Sequence, residues 1–101
     1  MTKDEFNQLF DGRPVCAKFS AEWCNPCKVL GKTLEKVEPN YPNVNFIHID
    51  VEESPELAQE FQIANIPVMI FTNGDGEIVN RKVGLIPEKA IIAEIENLLN
   101  A

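Results

Sequence analysis

Apolar and polar positions recur with two different periods along this chain, and the switches between them mark its elements. Thr2 followed three residues later by Glu5 is a capping-box signature, predicting a short helix with Phe6, Leu9 and Phe10 on its apolar face. Asp11-Gly12-Arg13-Pro14 reads as a turn, and Val15 to Ser20 as a strand. A second helix is expected from the segment Trp23-Cys24-Asn25-Pro26-Cys27 to about Glu38. In it Leu30, Leu34 and Val37 keep the i, i+4, i+7 spacing of a buried stripe, and Pro39 ends it. Val44 to Ile49 predicts a second strand, with Val44, Phe46 and His48 on one side and Ile47 and Ile49 on the other. Ser54-Pro55 supplies an N-cap and an N1 proline to a short helix that buries Leu57, Ala58 and Phe61. Pro67 to Phe71 predicts a third strand. Asn73-Gly74-Asp75-Gly76 is a hairpin signal leading into a fourth, Ile78 to Val83. Pro87 opens a last helix with Ile91, Ile95 and Leu98 on its apolar face, flanked by Ile92 and Leu99.

This order, αβα–βα–ββα, predicts an α/β protein with a mixed sheet and helices on both faces. The 101 residues carry no repeat, low-complexity tract or Gly/Ser linker, so one domain over 1–101 is expected. No apolar run approaches the ~20 residues of a membrane span. The start Met1-Thr2-Lys3-Asp4-Glu5 lacks the basic-then-apolar pattern of a secretory signal, which makes a cytoplasmic location the expectation. A net charge of −7 without a basic stripe argues against nucleic acid and anionic membranes as partners.

Three cysteines are an odd count, ill suited to a purely structural disulfide framework, and two of them sit at i and i+3. Cys24 and Cys27 are therefore one helical turn apart, close enough for a disulfide to open and close without backbone rearrangement. At a helix start, free N–H groups and the helix dipole stabilise the Cys24 thiolate, the attacking species. Cys27, one turn inside, holds its proton more tightly. Cys24 is thus the candidate nucleophile and Cys27 the resolving thiol that releases product. Pro26 is tolerated where helical N–H groups are free anyway and stiffens the loop. Trp23 offers an apolar cover to the site. A metal site is disfavoured, because one CxxC gives two of the four ligands zinc needs and no second CxxC or CxxH follows.

Phe19-Ser20-Ala21-Glu22-Trp23-Cys24-Asn25-Pro26-Cys27-Lys28 resembles the active-site segment of the thioredoxin family. Ile66-Pro67 resembles that family's cis-proline, Asn73-Gly74 its hairpin turn, and Val83-Gly84 the glycine lining its substrate groove. The resemblance implies a thioredoxin fold. It implies a cis Pro67 facing the cysteine pair, and an Ile66 main chain that pairs with an extended substrate segment. It further implies a monomer reducing disulfide-containing proteins, re-reduced by a thioredoxin-reductase-like donor, with no cofactor besides the Cys24–Cys27 disulfide.

Four departures from the family accompany it. Lys18 stands where the family usually buries an acid behind the second cysteine, and Phe46 where a lysine faces that acid. Lys18 lowers a thiolate pKa by its charge, or serves as a base if burial neutralises it, or snorkels to an edge. If buried it needs a partner, for which Asp50 is the candidate. Asn25 replaces a common glycine, and its amide either reaches toward Cys24 or faces solvent. Lys32 replaces a helix-kinking proline, with Gly31 beside it. Finally, the chain begins at the first helix, so four strands are expected without the usual leading edge strand. Cys16 reads as a small buried hydrophobe and His48 as a packed or surface residue. Two other functions remain open: a binding module keeping the fold as a rigid subunit, and an oxidant or isomerase.

Overall fold

The computed structural model describes residues 1–100, and its sheet is organised around one strand, β1 (Val15–Ser20). β1 pairs in parallel with β2 (Asn45–Asp50) and antiparallel with β3 (Val68–Thr72), and β4 (Ile78–Val83) adds to β3, giving the order β2-β1-β3-β4. A parallel pair needs a crossover, which the helix α2 (Asn25–Val37) provides between β1 and β2. The remaining helices are α1 (Lys3–Gln8), α3 (Pro55–Glu60) and α4 (Glu88–Leu99). Among the described residues the sheet is mixed and four-stranded, as the sequence resemblance leads one to expect, with no strand ahead of α1.

Side-chain alternation along β1 sorts the core into two layers. Cys16 joins Leu30, Leu34, Ile91 and Ile95 under α2 and α4, whereas Val15, Ala17 and Phe19 join Phe6 and Leu57 under α1 and α3. β3 is buried along its whole length, as a strand covered on both faces should be.

The capping box at Thr2 and Glu5 forms, with the Glu5 amide donating to Thr2 Oγ1 at 3.2 Å and the Thr2 amide to Glu5 Oε1 at 2.9 Å. Leu9, expected on the buried face, is the C-cap of α1 and is exposed, because the helix stops one residue before it. Pro39 lies inside a 3-10 turn, Glu38–Asn40, that continues α2, a first-turn place where its missing N–H costs nothing. β2 begins one residue later than expected because the Val44 amide bonds back to the Tyr41 carbonyl at 3.0 Å. β3 likewise begins after Pro67, which has no N–H for the ladder. Ser54 occupies the N-cap of α3 but its hydroxyl does not cap. It accepts instead from the Met1 ammonium at 2.7 Å, a charge-assisted bond across 53 positions. At the β3–β4 hairpin only glycine fits at position 74, since a Cβ there would collide with the Gly12 carbonyl.

Candidate active site

Three chain segments meet at one end of the sheet. β1 ends at Ser20, Val68 at the start of β3 pairs with Phe19, and Val83 at the end of β4 pairs with Val68. The residues just beyond those strand ends therefore converge: Ala21 to Cys27 after β1, Ile66-Pro67 before β3 and Gly84 after β4.

Cys24 is the N-cap of α2 in extended conformation, with Asn25 and Pro26 as the first two helical residues. The sulfurs of Cys24 and Cys27 are joined in a disulfide whose Cα atoms lie 5.2 Å apart. The Cys27 amide, one of the helix-start donors left without a carbonyl partner, points at Cys24 Sγ at 3.3 Å. Cys24 and Cys27 are both buried, Cys24 keeping 6% of its surface accessible and Cys27 2%. Both pack against Ala21, Val51 and Ile66.

The Ile66–Pro67 bond is cis and Pro67 is buried. The Ile66 carbonyl lies 4.0 Å from Cys24 Sγ, and the Pro67 carbonyl accepts from the Gly84 amide at 2.8 Å. Gly84 adopts φ +91°, the left-handed region where glycine is unstrained. Trp23 is 66% exposed, and the apolar Val83 and Leu85 on either side of Gly84 are about half exposed.

Glu52 and Val51 escaped the sequence reading. Trp23 Nε1 donates to Glu52 Oε1 at 2.8 Å, which fixes the indole beside the site. Glu52 is itself held because Asp50 Oδ1 accepts from the amides of Glu52 at 2.8 Å and Glu53 at 3.3 Å. An aspartate ending a strand before Val51-Glu52-Glu53 is the local signal for such a turn. Asp50 is thereby occupied and forms no ion pair with Lys18, contrary to expectation. Among the described residues Lys18 has no carboxylate within 4.0 Å. The Asn25 amide, similarly, makes no hydrogen bond to Cys24 and its residue faces solvent, as the first turn projects it outward.

His48 is exposed on β2, its Nε2 2.8 Å from Glu38 Oε2. Cys16 is a free, buried thiol whose pKa burial, and then the nearby Glu38 charge, push up to about 12. The folded chain therefore holds Cys16 neutral. Its contribution to stability is fully present below pH ~9, where an unfolded thiol is also neutral, and is lost as pH rises toward about 12. We expect a native, reduced sample at neutral pH to titrate only two thiols with a disulfide reagent, and a third after denaturant is added. Three reactive thiols in the native protein would contradict this burial.

Among the described residues no group of three or more His, Cys, Asp or Glu side chains is placed to hold a metal. A larger hollow of about 480 Å³ lies at the opposite end of the sheet, between α1 and the β3–β4 hairpin, and contains neither cysteine of the pair.

A sequence model of the Thioredoxin family matches residues 1–97. A thioredoxin of Mycoplasmoides gallisepticum is 34% identical over 90 residues, covering 88% of this chain and 89% of its own. A bifunctional thioredoxin reductase/thioredoxin of Mycobacterium leprae is 35% identical over 92 residues, 90% of this chain and 20% of that one. The crystal structure of mitochondrial thioredoxin 3 from Saccharomyces cerevisiae, in oxidized form, superposes with a TM-score of 0.84 at 31% identity, over 94% of this chain and 89% of that one.

Proposed function

The chain belongs to the thioredoxin family and is a thiol–disulfide oxidoreductase, and on that premise we propose that it reduces protein disulfides with Cys24 as nucleophile and Cys27 as resolving thiol. The observation that carries the assignment is the Cys27 amide aimed at Cys24 Sγ at the start of a 13-residue helix. A thiolate at that point gains an N–H donor and the positive end of the helix dipole.

In the first step the Cys24 thiolate attacks one sulfur of a substrate disulfide. The other substrate sulfur departs with the electron pair and takes a proton from solvent. In the second, Cys27 loses its proton and attacks Cys24 Sγ, breaking the mixed disulfide. The Cys24–Cys27 bond forms, two electrons have passed to the substrate, and both of its sulfurs leave as thiols. Ile66, Pro67 and Gly84 border the groove beside Cys24, where the Ile66 main chain pairs with an extended substrate segment. Trp23 covers one side of the site, with Pro26 stiffening its loop.

Residues 1–101 act as one such domain, as a monomer in the cytoplasm. No helix among the described residues is long and apolar enough to cross a membrane. Electrons return from a thioredoxin-reductase-like donor, a reading supported by the Mycobacterium leprae relative, whose name joins the two activities.

The reduced protein should cleave the interchain disulfides of insulin, with one Cys24–Cys27 disulfide formed per bond reduced. Insulin that stays intact in the presence of fully reduced protein would refute the proposed function.

A further inference from the structure

A shallow cavity of about 170 Å³ has Cys27, Ser20, Gly31 and Lys18 among its lining residues. Lys18 extends from the middle of β1 toward α2, where a Cβ placed on Gly31 would stand 3.4 Å from its Nζ. The ammonium therefore rests against the helix at Gly31, four residues and one turn beyond Cys27 on the same face. The charged groups of the surrounding elements leave it without a close partner. Glu35 and Glu38 act on it only over distance, and Glu38 is bonded to His48, the β2 residue paired with Lys18. Asp50 lines the same cavity with its Oδ1 held by the Glu52 and Glu53 amides and makes no ion pair with Lys18, and Glu22 and Lys28, also in the lining, are exposed.

We propose that Lys18 is the positioning cation of the resolving cysteine: across the shared cavity its ammonium stabilises the thiolate that Cys27 must form. The inference rests on the dithiol–disulfide cycle above. In the resolving step the Cys27 proton passes to water in the open cavity, and the thiolate faces Lys18 as it attacks Cys24 Sγ. The Cys24–substrate sulfur bond breaks, and the electron pair leaves on the substrate sulfur. Lys18 exchanges no proton in this sequence and acts by charge alone. The stabilisation is mutual, since the thiolate adds a counter-charge for an ammonium that makes no ion pair among the described residues of the oxidised protein. Desolvation lowers the Lys18 pKa, and Glu38 and Glu35 oppose that shift, keeping the group a cation near neutral pH. The thiolate exists only in the reduced protein, so at any pH where Cys27 is ionised the cation favours the reduced state and makes the couple less reducing.

Lys18→Met and Lys18→Gln remove the charge, whereas Lys18→Arg keeps it. The equilibrium constant for reduction of each protein by glutathione, and the pH titration of thiolate absorbance, give the readouts. At a pH where Cys27 is ionised in the reduced wild type, the neutral variants should be reduced about tenfold less favourably, equivalent to a potential ~30 mV more negative. Their Cys27 thiolate should also appear at higher pH, and the arginine variant should stay near wild type. Neutral variants within twofold of wild type, or an arginine variant displaced as far as methionine, would overturn the inference while wild-type exchange proceeds normally. A wild-type protein that does not exchange with glutathione at all would instead bring down the dithiol cycle, and this inference with it.

Discussion

Cys24→Ser reduces insulin no faster than buffer, whereas Cys27→Ser attacks once and stops as a mixed disulfide through Cys24. The two substitutions remove the same number of sulfur atoms, so any difference between them comes from position. Cys24 is the N-cap of α2, facing the Cys27 amide and the Ile66 carbonyl at the edge of the groove. Cys27 lies one turn inside and almost wholly covered. A serine at 24 leaves a thiol without the helix-start donors or access to substrate, so the first step fails. A serine at 27 leaves the first step intact and removes only the thiol that would break the mixed disulfide. Mass spectrometry of each variant after exposure to a substrate disulfide separates the cases. An adduct trapped on Cys27 in Cys24→Ser, with none on Cys24 in Cys27→Ser, would reverse the roles.

The largest loss of stability is expected from Phe19→Ala. Phe19 is fully buried on the central strand, paired with Ile49 on one side and Val68 on the other, and its ring lies 5.5 Å from that of Phe61. Truncation removes most of a phenyl ring from a layer closed by strands that other contacts hold in place, so the cavity collapses only partly. The cost should be ~3–5 kcal/mol, a large share of the ~5–15 kcal/mol that holds a chain of this size folded. Urea titration should show a lower midpoint with an unchanged slope. A loss below ~1 kcal/mol would mean that the layer repacks around the gap.

Trp23-Cys24-Asn25-Pro26-Cys27 was legible as redox chemistry because everything that defines it is local. Two thiols one turn apart, a proline tolerated in a first turn and a strand before the helix all lie within a dozen residues. The bounds of β1 and β4, the capping box at Thr2 and the buried stripe Leu30, Leu34 and Val37 were legible for the same reason. Pro67 and Gly84 are different. Nothing in their immediate neighbours says that they reach Cys24, and only the family resemblance placed them there. The structure sets Ile66 against Cys24 and Gly84 against Pro67, because β3 runs antiparallel to β1 and β4 antiparallel to β3, which brings three strand ends together.

The sequence by itself thus determined the elements, their faces and the identity of the reacting sulfurs, since these depend on periodicity and on groups a turn or two apart. Only the tertiary structure decided what surrounds those sulfurs. Trp23 meets Glu52 across 29 positions, Cys24 approaches Ile66 across 42, and Ser54 holds the terminal ammonium across 53. Asp50, the acid that pattern reading assigned to Lys18, was taken by the turn that follows its own strand. A polar group's partner is settled by competition among all the groups that packing brings within reach. Pairing strands distant in sequence creates that neighbourhood, and local spacing carries no record of it.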